Sequence, residues 1–250
     1  MNYFKVSPDI AQVRTYHNDE SAFFHVFETD LISSYLQNAY IWEHELQRVF
    51  EKHITKDMVV LEGGCHIGSH SVKLSKLGKS VICFEPLIPS YDLLLKNLEL
   101  NNCNNVTVYD KGLSDTPSQS EFGWINVHNV GGSGLIDNPM GIPIGFSTPE
   151  SLSDSGYNFK VDLVTIDSLH LDQLDFIKLD IEGYEPNAIL GGIETISKYK
   201  PIIVVECWAN HQGGLDLEYT KAQFNPLMEL GYSVEQLFPG SPDWLFIHRG

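Results

Sequence analysis

The sequence predicts an α/β chain organised around a doubly wound, mostly parallel sheet of seven strands with an antiparallel edge. Three observations carry that prediction. Residues 58–77, MVVLEGGCHIGSHSVKLSKL, read as a strand, a glycine-rich turn and a helix. Short apolar runs at 81–84 and 106–109, with a helical stripe between them, extend this to βαβαβ, which right-handed crossovers turn into a parallel sheet. Two apolar runs near the end, 232–238 and 244–247, read as a closing antiparallel pair.

Taken in order, residues 1–40 form an N-terminal extension with a polar break at Asn18-Asp19-Glu20 and an aromatic cluster at Phe23, Phe24 and Phe27. Ile41, Leu46, Val49 and Phe50 recur at helical spacing, predicting a helix over 40–53. The run from Met58 to Leu61 is long enough for a buried strand and too short for a helix; Ser69 and Ser71 can cap the helix that follows. The second strand ends at Glu85-Pro86, and Tyr91, Leu94, Leu95 and Leu98 then form a stripe that stops at Asn101-Asn102. A segment rich in Gly, Ser, Pro and Asn, 116–160, interrupts the rhythm with one strand expected near 122–127; an insertion of that length reads as a lid. Strands resume at 161–166, 176–180 and 202–205. A helix over 186–196 starts at Pro186, and a last helix around Phe224–Leu230 is closed by Gly231.

The 250 residues suit one domain, with 42% hydrophobic and 20% charged residues supporting an ordinary packed core. Acidic residues outnumber basic ones 33 to 16, for a formal charge of -17, which repels phosphate backbones and argues against a nucleic-acid substrate. No apolar run approaches a membrane span, and the first residues lack the pattern of a signal peptide, so a cytoplasmic protein is expected. Cys65, Cys83, Cys103 and Cys207 show no paired spacing and read as reduced thiols. The aromatic N-terminal segment could serve a homodimer contact or cap the sheet.

Ligands of open α/β sheets bind beyond the carboxyl ends of the strands. Four strands deliver an acidic residue there: Glu62, Glu85, Asp180 and Glu206. A dinucleotide site wants Gly-x-Gly-x-x-Gly, whereas this turn is Glu-x-Gly-x-x-x-Gly. A carboxylate at the first position repels a pyrophosphate and attracts an ammonium or sulfonium, which favours S-adenosylmethionine (SAM) over NAD. Glu85 stands 23 positions after Glu62, where a ribose would lie, and can accept hydrogen bonds from both hydroxyls, about 1.5–3 kcal/mol each.

These residues resemble the FkbM family of SAM-dependent methyltransferases, in three blocks: VVLEGGCHIGSHSVKLSKLG; VICFEPLIPSYDLLLKNLELNN with NVTVYDKGLSD; and VTIDSL with LDFIKLDIEGYEPNAILGGIETI and PIIVVE. The Lys-x-Asp-x-Glu-Gly pattern in the third is the most specific, and the segment from Asn129 to Leu135 is similar to the family's variable region. Two departures stand out: Glu62 replaces the usual Asp and His66 the usual Asn. The resemblance implies a class I SAM-methyltransferase fold and O-methylation of a small molecule or sugar. Matching positions would then place Glu62, Gly64, His66 and Gly68 at the methionine end, Glu43 on the ammonium, Glu85 on the ribose, and Ser114 and Asp115 at the adenine edge. The methyl group would lie over Asp180 and Glu182, and these two with His211 are the candidate bases, a role that contributes about 10²–10⁴ in rate. Asp167, Asp180 and Glu206 could instead assemble a magnesium site for a catechol-like diol, but no local metal spacing supports one and no metal is assigned. The competing readings are an SAM- or adenosine-binding module without catalysis, and an NAD-linked oxidoreductase.

Overall fold

The computed structural model describes residues 11–17, 20–27, 30–38, 42–126, 128–137, 160–209 and 214–249. Its centre is built from β3 (Val59–Gly63), α3 (Ser71–Leu77), β4 (Ser80–Phe84), α4 (Ile88–Leu100) and β5 (Val106–Tyr109), the predicted βαβαβ run. The chain then returns to the other side of β3 with β10 (Phe176–Leu179) and β11 (Ile202–Glu206). β12 (Tyr232–Gln236) and β13 (Asp243–His248) close the edge, so the seven strands lie in the order β12-β13-β11-β10-β3-β4-β5. The five strands from β11 to β5 run parallel, β13 pairs antiparallel to β11, and β12 pairs antiparallel to β13. The strand order reverses between β3 and β10, which makes their carboxyl ends the switch-point crevice of a doubly wound sheet.

Strand alternation sends side chains to two buried layers. Val60, Val81, Cys83, Phe176 and Val204 face α3, α4 and α2 (His44–His53). Leu61, Phe84, Ile177, Leu179, Ile203 and Val205 face the opposite helices. Glu62 and Lys178 belong to the first layer and are register partners on adjacent strands, so a carboxylate and an ammonium are buried side by side in the sheet.

Several expectations change in detail. The predicted helix over 40–53 begins only at His44, because Glu43 adopts a left-handed conformation (φ 46°). The single helix expected over 186–196 is two, α5 (Glu185–Leu190) and α6 (Ile193–Tyr199). Gly191 breaks it: a Cβ there would lie 2.0 Å from the Ser114 carbonyl oxygen, so the chain turns where it touches that loop. The helix expected around Phe224–Leu230 is α8 (Asn225–Glu229), and an unpredicted helix, α7 (Leu217–Gln223), capped by Asp216, precedes it.

The extension contains a hairpin, β1 (Ala11–His17) and β2 (Glu20–Val26), followed by α1 (Leu31–Gln37). The last residue of the polar break, Glu20, opens β2 and pairs with His17. Buried Asn97 of α4 accepts from the His25 amide (2.6 Å) and donates to the His25 carbonyl (3.0 Å), and Phe24 and Phe27 join the first core layer. Those aromatics cap the sheet side of this chain. In the insertion, β7 (Ser118–Trp124) starts earlier than expected and pairs with β8 (Gly134–Leu135) and β9 (Lys160–Val164). β9 therefore joins a second sheet with β6 (Gly112–Leu113). Residues 138–159 of the expected lid lie outside the described residues, as does His211.

Candidate active site

The turn after β3 is held by close backbone packing. Gly64 has φ 77°, and a Cβ there would sit 1.7 Å from the Asp180 carbonyl oxygen. The β3 and β10 ends are thus pressed together, with the Asp180 amide donating to the Gly63 carbonyl at 3.2 Å. Gly68, at φ 89°, meets Leu94 in the same way, its Cβ falling 2.7 Å from that side chain. His66 between them is also left-handed (φ 48°).

Glu62 lies beneath this turn and does not line the cleft. It is fully buried, and its Oε2 accepts from Ser71 Oγ at 2.5 Å, which ties the strand end to the start of α3. Its Oε1 has no hydrogen-bond partner. Glu85 clasps the turn from the next strand: Oε2 accepts from the His66 amide (2.7 Å) and Oε1 from the Leu87 amide (2.9 Å). Burial pushes Glu85 up to about 7, against the pull of those two amides.

The carboxyl ends of β3, β4 and β10 floor a cleft with two chambers, each a space of about 600 Å³ that opens to solvent. The first is mostly apolar, walled by Phe84, Leu87, Leu113, Phe122, Val130 and Leu135. The second is polar, with Glu43, His70, Lys178 and Glu206 on its walls. Gly64, His66, Glu85, Gly131, Asp180 and Glu182 border both. Ser114 and Asp115 line neither; Lys111, Gly112 and Leu113 reach the apolar chamber in their stead. The Ser114 amide donates to the Val164 carbonyl, and its hydroxyl to Asp115 (3.1 Å), so both residues serve the second sheet. Gly68 stays behind the wall against Leu94.

In the polar chamber His70 Nε2 donates to Glu43 Oε2 at 2.7 Å. Burial raises the Glu43 carboxyl, but that hydrogen bond, the His70 charge and Lys178 outweigh it and leave it below its ordinary value. Lys178 lies 3.1 Å from Asp180 Oδ2 and is almost fully buried. Burial works against its charge, yet Asp180, Glu62 and Glu43 overcome this and hold the ammonium firmly protonated. Glu182, left-handed at φ 56°, and Glu206 are both raised well above a free glutamate, first by burial and then by Asp180 and neighbouring carboxylates.

Three residues that shape the cleft were given no role by the sequence. Lys178 supplies the buried counter-charge, and its place in a continuous apolar strand was the available signal. Glu185 accepts from the Ile181 (2.6 Å) and Gly183 (3.0 Å) amides and so shapes the loop that carries Asp180 and Glu182. His70 orients Glu43. Asp167, in contrast, caps α6 by accepting from the Glu194 and Thr195 amides and stands apart from the carboxylate cluster.

The description Methyltransferase FkbM domain matches residues 62–234, more than two thirds of the chain. The chain belongs to the FkbM methyltransferase family. Similar solved structures include methyltransferase FkbM from Methylobacillus flagellatus KT (15% identity, 81% of this chain and 50% of that one, TM-score 0.48). Others are an rRNA methylase from Streptococcus thermophilus (11%, 82% and 96%, 0.43) and precorrin-6y C5,15-methyltransferase from Geobacter metallireducens GS-15 (16%, 83% and 88%, 0.43). The match spans half the length of the Methylobacillus chain. Among curated proteins no match is found.

An FkbM methyltransferase takes its methyl group from SAM. The residues present fit that cofactor. Both ring nitrogens of His66 are buried without a hydrogen-bond partner among the described residues where the chambers meet, and Glu85 borders both chambers. No helix among the described residues is long and apolar enough to cross a membrane.

The raised Glu85 gives a pH test. Its folded value of about 7 exceeds that of a free glutamate, 4.5. The stability it contributes is therefore full below about 4.5 and lost as pH rises through about 7. Accepting from two ribose hydroxyls while holding two amides needs the ionised form. S-adenosylhomocysteine affinity should thus rise about tenfold from pH 6 to 8, with proton release on binding near pH 7. Calorimetry in buffers of unlike ionisation enthalpy checks this, and Glu85→Gln should flatten the profile.

Proposed function

We propose that this methyltransferase acts on a hydroxyl oxygen of a small molecule or sugar. The observation that supports it is the division of one cleft into an apolar chamber suited to adenosine and a carboxylate-lined chamber suited to a polar acceptor. When bound, SAM supplies the methyl group as an electrophile. Glu85 would hold the ribose, His66 and Gly64 the linker between the chambers, and Glu43, fixed by His70, the ammonium. Lys111, Gly112 and Leu113 would meet the adenine.

The acceptor would lie over Asp180 and Glu182. Glu182, raised well above a free glutamate by burial and by Asp180, would take the hydroxyl proton, with Asp180 held by Lys178. The charge of -17 supports an acceptor that is not a polyanion. We read residues 1–250 as one catalytic unit, with Ile32 of the extension, Trp42 just after it, and Val130 and Gly131 of the insertion completing the walls.

Methyl transfer from isotopically labelled SAM to a panel of sugars, phenols, amines and RNA tests the reading. Label is expected in an ether. Glu182→Gln should lower kcat by about 10²–10⁴ with S-adenosylhomocysteine affinity little changed. Label found only in RNA or in an amine product would refute the hydroxyl assignment.

A further inference from the structure

One buried carboxylate joins the N-terminal extension to the insertion, and neither cofactor contact nor proton transfer employs it. Asp30 stands between β2 and α1 and is 1% exposed. Its Oδ2 caps α1, accepting from the Ser33 amide (2.9 Å) and the Ser33 hydroxyl (3.0 Å). The other oxygen, Oδ1, accepts from the Val130 amide at 2.8 Å, 100 positions later in the insertion. The adjacent Leu31 amide donates to the His128 carbonyl at 3.0 Å, so two hydrogen bonds tie the segments side by side.

Val130 opens a single short turn, Val130–Gly132, and that turn walls both chambers: Val130 the apolar one, Gly132 the polar one and Gly131 both. Ile32, two residues after Asp30, also walls the polar chamber. A Cβ on Gly131 would lie 3.4 Å from Ile32 Cδ1 and 3.7 Å from His66 Cγ, so the turn rests on the extension and on the cofactor loop together. Phe27 packs on the same His66 ring, with 5.9 Å between centroids. Burial holds His66 below its ordinary value, and the foremost charge opposing this is that of Asp30, so the carboxylate also acts on the cofactor loop.

The ties within the insertion do a different job. Trp124 Nε1 donates to the Gly132 carbonyl (2.9 Å), and the Asn126 amide donates to the Ser133 hydroxyl (3.0 Å). Those bonds set the shape of the turn, whereas the bonds at Asp30 and Leu31 set its position against the extension. A carboxylate accepting from a backbone amide makes one of the stronger kinds of hydrogen bond. A wall already held in its binding position spares the ligand the cost of ordering it, and that saving appears as affinity.

We propose that Asp30 is a positioning residue for the cofactor: by pinning the Val130 amide it holds the extension and the insertion as one wall across both chambers and slows the release of bound SAM. It lines neither chamber and acts through the wall. The inference rests on the placement of the cofactor in this cleft and is independent of the acceptor.

Asp30→Ser separates the two jobs of the carboxylate, since serine is a good helix cap whose short side chain cannot also reach Val130. Stopped-flow measurement on the full chain should show S-adenosylhomocysteine leaving about tenfold faster or more, with association little changed and affinity weakened to match. The urea midpoint should stay close to that of the unaltered chain, while hydrogen exchange at the Val130 amide speeds up. Ser33→Ala, which keeps the bond to Val130, should leave S-adenosylhomocysteine release unchanged. In the unaltered chain, S-adenosylhomocysteine should slow exchange at the Val130 and Leu31 amides, because wall and ligand stabilise each other equally. That arm needs no variant to fold. Release that ignores Asp30→Ser, an equal effect of Ser33→Ala, or exchange at Val130 that S-adenosylhomocysteine does not slow would each overturn the proposal. No S-adenosylhomocysteine binding by the unaltered chain would remove the cofactor placement itself and this role with it, so the two failures are told apart.

Discussion

Replacing Lys178 with methionine should destabilise the protein by about 3–5 kcal/mol at neutral pH, the size expected when one partner of a buried ion pair is removed. The side chain is almost fully enclosed, beside Glu62 on the adjacent strand and 3.1 Å from Asp180. Methionine fills nearly the same volume, so the loss is electrostatic. Asp180, Glu62 and Glu43, the carboxylates that hold the ammonium charged, would lose their common counter-charge. The sign of the pH dependence follows. The folded value of Lys178 is raised, so its contribution is fully present below the ordinary lysine value of 10.5 and is lost only at more alkaline pH. In the variant, protonation of the stranded carboxylates relieves the strain, and the deficit should shrink as pH falls. Urea midpoints at pH 8 and pH 5.5 measure both effects. An equal loss at both values would mean that Lys178 acts by packing alone.

Gly64→Ala should be at least as damaging, costing about 4 kcal/mol or more. Two penalties coincide there. The backbone sits at φ 77°, which L-residues with a Cβ enter at a cost of about 1–2 kcal/mol. The new methyl group would also lie 1.7 Å from the Asp180 carbonyl oxygen, which is backbone and cannot swing aside. The only relief is to separate the ends of β3 and β10, the two strands that floor the cleft. Gly240 is the internal control: its φ is 86°, and nothing lies within 4 Å of its Cβ position. Gly240→Ala should therefore show the conformational penalty alone. Thermal denaturation of both variants separates the two contributions, and similar losses would show that the contact at Gly64 is unimportant.

The central architecture was legible because each parallel strand is a short continuous apolar run ended by a carboxylate. Glu62, Glu85, Asp180 and Glu206 mark four strand ends, and the sheet brings all four to one edge. Spacing could not reveal which way each one points. Glu62 read as a cofactor contact, yet the structure turns it under the turn onto Ser71, while Glu85 and Asp180 face the cleft. Lys178 looked like a strand residue because two of the carboxylates that hold its charge, Glu62 and Glu43, are distant in sequence. Ser114 and Asp115 followed a strand as expected, but the second sheet draws them away from the cleft. The docking of the N-terminal hairpin was unreadable because it depends on Asn97 and Asn101, more than 70 positions away. The Gly191-Gly192 break depends in the same way on a carbonyl at Ser114.

The central claim is that the apolar chamber, with Glu85 at its edge, receives the adenosine of SAM. Calorimetric titration with S-adenosylhomocysteine and with NAD, on the wild-type chain and on Glu85→Ala, tests it most directly. The account predicts micromolar binding of S-adenosylhomocysteine, none of NAD, and loss of about 1.5–3 kcal/mol or more in the variant. Binding of NAD, or S-adenosylhomocysteine binding that ignores Glu85, would contradict it.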